Sequence, residues 1–310
     1  MNQWFKIFFL RNGLVLSLYM LLVTFIWIVV MFVLPQIFML DFSFRFNWTQ
    51  IDPSKIGGTE DVYTLQHYKF LLFGSPNNPD PFNIVDVSVF AHTILAAVFV
   101  TLFDVILCYP VAYYLAHVAK GGVTRLMMLS LVVPFWINEL LRAFAFRILF
   151  GEEGSINNIL VFLGILSQPI DFVRENIALY TGLGYAYILL MIFPIYNAVE
   201  SLDRNQIEAA RDLGSPWWRI HWRVVIPFAK PGITSGCTMV FMLSAGALAL
   251  PQIIGGPSSL WFTQIIYQWF NTGSNWPRGS AYAVSLLVIC VILVLLMMKI
   301  FKVKFGEIGR

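Results

Sequence analysis

Six long apolar segments constrain the fold of this chain more than any other feature. The first, residues 14–34, holds 21 residues without a charge, enough as a helix to cross a hydrocarbon core of about 30 Å. The others cover about 87–116, 126–150, 177–199, 232–250 and 281–298. Lipid offers backbone groups no hydrogen bonds, so apolar segments of this length cross it as helices. We predict an all-α membrane protein of six transmembrane helices, forming one transmembrane domain over residues 1–310.

The distribution of basic residues predicts the orientation. With the N-terminus inside, thirteen Lys and Arg residues lie in cytoplasmic segments and five in outer segments. Cytoplasmic loops keep the excess of basic residues. We therefore expect residues 1–13 and 299–310 to be cytoplasmic, and residues 41–85 to form a loop on the outer side.

Composition and motif content exclude several function classes. The formal net charge of +3 is too small to indicate nucleic acid as a partner. The three cysteines each fall inside an apolar segment without paired spacing, so we expect buried small side chains. The sequence contains no phosphate-binding G-x-x-x-x-G-K-[ST] motif and no nucleophile elbow. We predict a non-catalytic protein without a metal or cofactor of its own.

One polar segment, DRNQIEAARDLGSPWWRIHWRVVIPFAKP from Asp203 to Pro231, separates the fourth and fifth apolar segments. We call it the elbow. Asp203 is placed to cap a first helix, and Gly214 is the residue type expected just past a helix end. Ser215 and Pro216 then suit the cap and first position of a second helix. The pattern predicts a helix, a tight turn and a second helix.

The elbow carries five basic and three acidic residues and is too polar to cross a bilayer. Apolar residues nevertheless recur at helical spacing, at Ile207, Ala210, Leu213, Trp217, Ile220 and Val224. Three interpretations fit such a stripe: it lies in the lipid interface, packs under its own helices, or docks to a cytoplasmic partner.

Residues of the elbow also carry a resemblance to a known family. Glu-Ala-Ala, three residues, Gly, nine residues and a hydrophobic run ending in Pro resembles the EAA loop of permease subunits of binding-protein-dependent ABC importers. The matching residues are Glu208, Ala209, Ala210, Gly214 and Pro227. The chain departs from the pattern with Val224 in place of Ile and Ile226 in place of Leu, and both keep an apolar side chain.

The resemblance extends over residues 85–298. LVVPFWINELLR, SINNILVFLGI, IIGGPSSL and NWPRGSAYAVSLL are similar to stretches of the spermidine/putrescine permease group. The outer loop 41–85 has no recognised counterpart.

The resemblance implies the membrane subunit of a type I ABC importer in the bacterial inner membrane. ATP would be bound and hydrolysed on separate ATP-binding subunits that receive the elbow. It further implies a second permease subunit, a periplasmic solute-binding protein and contact with membrane lipid. The expected solute is a polyamine, with another small cationic or zwitterionic solute as the alternative.

Polar residues inside the spans are candidates for the translocation path. Asp104 lies in the second segment, while Pro134, Asn138 and Glu139 follow one another in the third. Ionisable groups at this depth face protein or a wet cavity, and acidic groups suit a cationic solute. Two bland alternatives are that Asp104 is a packing residue and that Glu139 pairs with Arg142 one turn on. An ion-gradient-driven carrier would instead use Asp104 and Glu139 as a proton relay.

Overall fold

The structure is a computed structural model that describes residues 13–48, 55, 58, 61–75, 82–257 and 259–303. Predictions for residues 1–12, 49–54, 56–57, 59–60, 76–81, 258 and 304–310 lie outside this part of the chain. The described helices are α1 Leu14–Ile28, α2 Leu34–Phe44, α3 Gln66–Phe73, α4 Ile84–Tyr113, α5 Gly122–Val132, α6 Glu139–Phe150, α7 Ser155–Phe162, α8 Ile177–Glu200, α9 Arg204–Asp212, α10 Trp217–Ile220, α11 Ile226–Ala245, α12 Ala249–Ile254, α13 Phe262–Phe270 and α14 Trp276–Phe301.

Three wide π-helical turns and one tight 3₁₀ turn directly extend α-helices of the described chain, and the π turns at Val29 and His221 also lead directly into the next helix. The π turns are Val29–Val33, Tyr114–Val118 and His221–Val225, and the 3₁₀ turn is Val133–Trp136. Within the described residues the only β pairing is an isolated bridge between Arg45 and Tyr63. The prediction of an all-α chain is confirmed.

Five continuous helical stretches are long and apolar enough to cross a membrane, and a bent pair of helices passes the same test when it is taken as one span, for a total of up to six. The continuous stretches are Val15–Phe44, Ile84–Val118, Ile177–Glu200, Trp217–Ala245 and Trp276–Phe301. The bent pair is Gly122–Trp136 with Glu139–Phe162, which meet at 96°. The six predicted segments are thus largely helical, but the third is broken at residues 137–138 and the helix of the fifth ends at Ala245.

The first span is longer than predicted. Its helix does not end near Pro35 but continues through the π turn and α2 to Phe44. Proline is tolerated in the first positions of a helix, where its missing N–H is not needed. Only 6% of this span is buried within the chain, so nearly all its apolar surface is left for lipid or another subunit.

The second helix of the elbow and the fifth span form one continuous rod. Helical backbone runs from Trp217 to Ala245, with Pro227 at the start of α11 and Pro231 inside it. The predicted boundary between the elbow and the span at residue 232 is therefore not a break.

One compact unit of the chain comprises residues 84–265 and 286–310. Its core lies where α4, α8 and α11 pack against one another. Gly232 and Gly236 of α11 permit this approach: a Cβ at Gly232 would collide with the Pro194 carbonyl oxygen, and one at Gly236 would stand 2.8 Å from Met191 Sδ. The Gly-x-x-x-Gly spacing therefore serves packing within the chain.

All three cysteines lie in this unit and are buried, as predicted. Cys108 and Cys237 belong to the packed helices α4 and α11, and Cys290 to α14. They behave as small apolar side chains.

The other unit comprises residues 1–83 and 266–285. Two ion pairs lie within it, because the Arg45 guanidinium contacts both Asp41 and Asp61 at 2.6 Å. A second cation, Arg278, lies over the rings of Phe70 at 3.6 Å and Trp269 at 4.5 Å. The described part of the outer loop thus has ordered contacts of its own.

Candidate coupling elbow and translocation path

The elbow folds largely as its capping and turn residues predict. The Asp203 carboxylate accepts the Asn205 N–H at 3.0 Å and caps α9. Gly214 follows the end of α9 with φ of +74°, in the left-handed region that favours glycine. The prediction for Ser215 is wrong, because Pro216 occupies the cap position of α10 in an extended conformation and no side chain caps that helix.

The apolar stripe of the elbow divides between two environments. Ile207 and Ile220, each 6% exposed, pack into the core of the helix bundle. Leu213 and Trp217 flank the turn and remain 86% and 74% exposed. The elbow is therefore anchored under its own helices while its tip presents apolar surface.

The five residues of the recognised motif lie on the accessible side. Glu208, Ala209, Gly214 and Pro227 are exposed, and Ala210 is half-buried against the core. An ideal Cβ at Gly214 would meet nothing within 4 Å. Their exposure leaves these residues free to contact another protein.

The third span breaks at its polar residues. After the 3₁₀ turn that contains Pro134, the Asn138 side-chain oxygen accepts the Leu140 N–H at 2.8 Å and caps α6. Glu139 is the first residue of α6, where the helix dipole favours a negative charge. Asn138 and Glu139 are exposed, and Pro134 is half-buried. The break thus has a local structural cause and also presents polar groups at mid-span.

Arg142 does not pair with Glu139 among the described residues. Its guanidinium instead lies 4.9 Å from the centre of the Phe135 ring. Arg142, Pro134 and Phe135 face a cavity of about 80 Å³. The other residues lining the cavity are Ser130, Leu131, Tyr185 and Ile188. Because Arg142 is turned away, the Glu139 carboxylate is not neutralised by an ion pair.

Asp104 lies in the packed core and not on an open surface. Its side chain is 2% exposed, and its Oδ1 lies against Gly184 of α8. Its Oδ2 has no hydrogen-bond partner among the described residues. In this arrangement of the helices, a solute would reach Asp104 only if α4 and α8 moved apart.

The two acidic candidates approach the same helix. Asp104 contacts α8 at Gly184, and Glu139 Oε1 accepts a hydrogen bond from the Tyr187 hydroxyl at 3.5 Å. Positions three apart on a helix are neighbours, separated by about 4.5 Å along its axis. The fold therefore brings Asp104 and Glu139 to adjacent turns of α8, whereas the elbow residues lie elsewhere.

Three contacts between helices were missed by sequence reasoning. They involve Gly184, Tyr187 and the pair Tyr109–His221, each of which touches a residue on a different helix. A glycine or a tyrosine hydroxyl within an apolar run was the available signal. The partner of each of these residues depends on how the two helices are rotated about their axes. The hydrophobic periodicity of the sequence does not give that rotation.

Comparison with known proteins identifies a matching family. Residues 91–303 match the family model described as binding-protein-dependent transport system inner membrane component. The chain is 31% identical over 270 residues to the spermidine/putrescine transport system permease protein PotB of Salmonella typhimurium strain SL1344, covering 87% of this chain and 88% of that protein.

Solved structures show the same fold. A bacterial ABC transporter that imports the acidic polysaccharide alginate aligns with a TM-score of 0.71 at 16% identity, over 96% of this chain and 98% of that chain. The alginate transporter in complex with a periplasmic protein bound to alginate pentasaccharide aligns with a TM-score of 0.70 at 17% identity, over 98% and 100% of the two chains.

Proposed function

Because this chain belongs to the family of binding-protein-dependent transport system inner membrane components, we propose that it forms part of the membrane channel of an ATP-driven importer for a polyamine of the putrescine or spermidine class. The single observation that carries the importer class is the elbow, with its motif residues exposed around a left-handed glycine. The similarity to PotB over 87% of the chain supports the solute class.

The elbow is the docking element for a separate ATP-binding subunit. Leu213 and Trp217 present apolar surface at its tip, and Glu208 adds a charge beside it. Closure of two such subunits on ATP would move the elbow, and the continuous rod from Trp217 to Ala245 would pass that movement into the membrane. ATP would shift the balance between outward-facing and inward-facing states by binding one of them better.

The path for the solute runs along the broken third span. Glu139 and Asn138 supply a negative charge and an amide at the break, and Pro134 lies in the 3₁₀ turn that precedes it. Asp104 is the fourth path residue, reached when α4 separates from α8. Two acidic groups directed at one helix suit a solute with two or more ammonium groups.

The remaining assignments follow the family. A second permease subunit would complete the channel and cover the apolar surface of the first span. A periplasmic binding protein would deliver the solute, as the complex of the structurally similar alginate transporter illustrates. The assembly would lie in a bacterial inner membrane, with both termini of this chain cytoplasmic.

The test is purification of the tagged chain from its source membrane in mild detergent, with mass spectrometry of the proteins that accompany it. Recovery of an ATP-binding subunit and a second permease is expected. The purified assembly would then be placed in proteoliposomes and supplied with its binding protein and radiolabelled spermidine. Uptake should require hydrolysable ATP, and unlabelled putrescine should compete while an acidic oligosaccharide should not.

Two results would contradict the proposal. Recovery of the chain without an ATP-binding subunit, followed by uptake driven by a proton gradient in the absence of ATP, would indicate a gradient-driven carrier. ATP-dependent uptake that ignores polyamines but is inhibited by another solute would keep the importer class and replace the substrate.

A further inference from the structure

A cluster of aromatic rings joins the elbow to the second span. The Tyr109 hydroxyl of α4 and His221 Nδ1 lie 2.7 Å apart, a hydrogen-bond distance. The centre of the His221 ring is 4.4 Å from the Tyr113 ring, 5.6 Å from the Trp217 ring and 5.9 Å from the Tyr109 ring. His221 is thus surrounded by rings from its own helix and from α4.

The backbone on both sides of this contact departs from regular α-helix. His221 begins the π turn His221–Val225, and α4 passes into the π turn Tyr114–Val118 shortly after Tyr109. Pro110, next to Tyr109, also lacks the N–H that an α-helix would use. π turns in α-helices are rare and occur frequently at functional sites. Both helices are therefore irregular where they meet.

Two further hydrogen bonds hold the same end of the second span. His117 Nε2 lies 3.0 Å from the Val199 carbonyl oxygen at the end of α8. The Arg204 guanidinium, in the first helix of the elbow, donates to the Ala116 carbonyl at 3.4 Å. The end of the second span is therefore connected to both helices of the elbow.

Tyr109 also stands close to Asp104 on the same helix. Their separation of five positions corresponds to about 7.5 Å along α4. A shift of α4 at Tyr109 would therefore change the contact of Asp104 with Gly184. A continuous chain of contacts leads from the exposed tip of the elbow to a candidate path residue.

We propose that the Tyr109–His221 hydrogen bond is the joint through which movement of the elbow reaches the second span. Tyr109 and His221 are positioning residues: they touch neither ATP nor solute, and they fix the direction in which α4 follows the elbow. Ring packing alone resists compression but permits sliding, whereas a hydrogen bond is directional. This inference rests on the proposed function, because it concerns how ATP hydrolysis is coupled to transport.

The experiment measures solute molecules transported per ATP hydrolysed by the complete complex in proteoliposomes. Tyr109→Phe removes one oxygen atom and keeps the ring, and His221→Phe keeps a ring but removes the nitrogen that shares the hydrogen bond. Both variants should lower the transport ratio by about three- to tenfold, the loss expected from one hydrogen bond. ATP hydrolysis stimulated by the binding protein should remain. His221→Asn, whose side-chain amide places a hydrogen-bonding group near the position of Nδ1, should recover part of the ratio.

A second tyrosine–histidine pair in the same unit provides the matched control. The Tyr180 hydroxyl on α8 and His92 Nε2 on α4 lie 3.2 Å apart at the other end of these helices. Tyr180→Phe removes the same atom from a contact that α4 makes with α8, without touching the elbow. Its transport ratio should stay within about twofold of the wild type, because this bond lies outside the contact between α4 and the elbow and its modest net value affects stability only.

The outcomes separate the joint from the proposed function. If Tyr109→Phe leaves the ratio unchanged, or Tyr180→Phe lowers it equally, the joint is refuted while ATP-driven transport by the wild type stands. If the wild-type complex shows no ATP-dependent uptake, the proposed function itself fails. The thermal unfolding midpoint of each variant shows whether a lower transport ratio is caused by misfolding. If the transport ratio falls only in proportion to the unfolding midpoint, the proposed role of the Tyr109–His221 bond is also refuted.

Discussion

The Asp104 carboxylate occupies the space that a side chain at Gly184 would require. An ideal Cβ at position 184 would stand 2.7 Å from Asp104 Oδ1 and 3.6 Å from a ring carbon of Phe103. Both residues lie where α4 packs on α8, within the core of their unit. The glycine therefore makes room for a buried acidic group in the second span.

Gly184→Ala is expected to destabilise the protein by about 1–3 kcal/mol, the usual cost of overpacking a filled core. The strain arises from one pair of side chains, so Gly184→Ala with Asp104→Ala should recover most of the loss. Thermal unfolding in detergent of the two single variants and the double variant forms a double-mutant cycle. Strictly additive losses would show that the two positions are not in contact.

Glu139→Gln should reduce polyamine uptake by about tenfold or more, because it removes the unpaired negative charge at the break of the third span. The amide retains an acceptor for the Tyr187 hydroxyl, so the fold should persist. Radiolabelled spermidine uptake with parallel ATP hydrolysis is the measurement. Glu153→Gln, an exposed acidic residue outside the break, is the control. Equal uptake by the Glu139 variant and the wild type would remove Glu139 from the path.

Gly214→Val should impair coupling with little loss of folding. A β-branched residue is poorly tolerated at φ of +74°, so the turn would rearrange at the tip. Gly214→Asn is the matched variant, since asparagine adopts this conformation more readily and the surrounding space is open. Transport per ATP should fall for valine and stay near the wild-type value for asparagine. Normal uptake with valine would exclude the glycine as the critical point of the elbow.

Acid should weaken the unit that contains His67. Burial lowers the pKa of this imidazole from its ordinary value of 6.5, the charge of Arg278 acts in the same direction, and the hydrogen bond to the Arg45 carbonyl opposes both. Nε2 lies 3.0 Å from that oxygen, while Nδ1 is buried without a partner among the described residues. A second proton would therefore be buried without an acceptor.

The direction of the pH dependence of stability follows from the lowered pKa of His67. The unfolded segment binds the proton more readily, so stability from neutral His67 is present above pH of about 6.5 and is lost as the pH falls below it. Limited proteolysis of the outer loop from pH 8 to pH 5 should show faster cleavage in acid, and His67→Gln should flatten this dependence. An unchanged dependence in the variant would assign the effect to another group.

Sequence reasoning was most accurate where local chemistry decides the structure. Apolar length located the spans, the Asp203 cap and Gly214 bounded α9, and the motif identified the family. It failed at positions where a proline was taken to mark the end of a helix. Pro35 and Pro231 do not end helices, whereas the break after Pro134 is sharp because Asn138 caps a new helix there.

The contacts around the candidate path were beyond sequence reasoning for a different reason. Asp104 was recognised as costly at its depth, but its partner Gly184 lies eighty residues away on another helix. The Glu139–Arg142 spacing suggested an ion pair, yet Arg142 packs over Phe135 instead. Such choices depend on how helices rotate against one another, and the sequence period fixes only which residues share a face.

The burial of all three cysteines makes this chain suited to fluorescence and spin labelling. Thiols enclosed among packed helices react slowly with maleimides, so an introduced surface cysteine would carry nearly all of the label. Leu213 is a favourable site, being 86% exposed beside the turn on ordinary backbone with φ of −75°. A reporter there would follow the approach of a cytoplasmic partner in real time without first replacing any of the native cysteines.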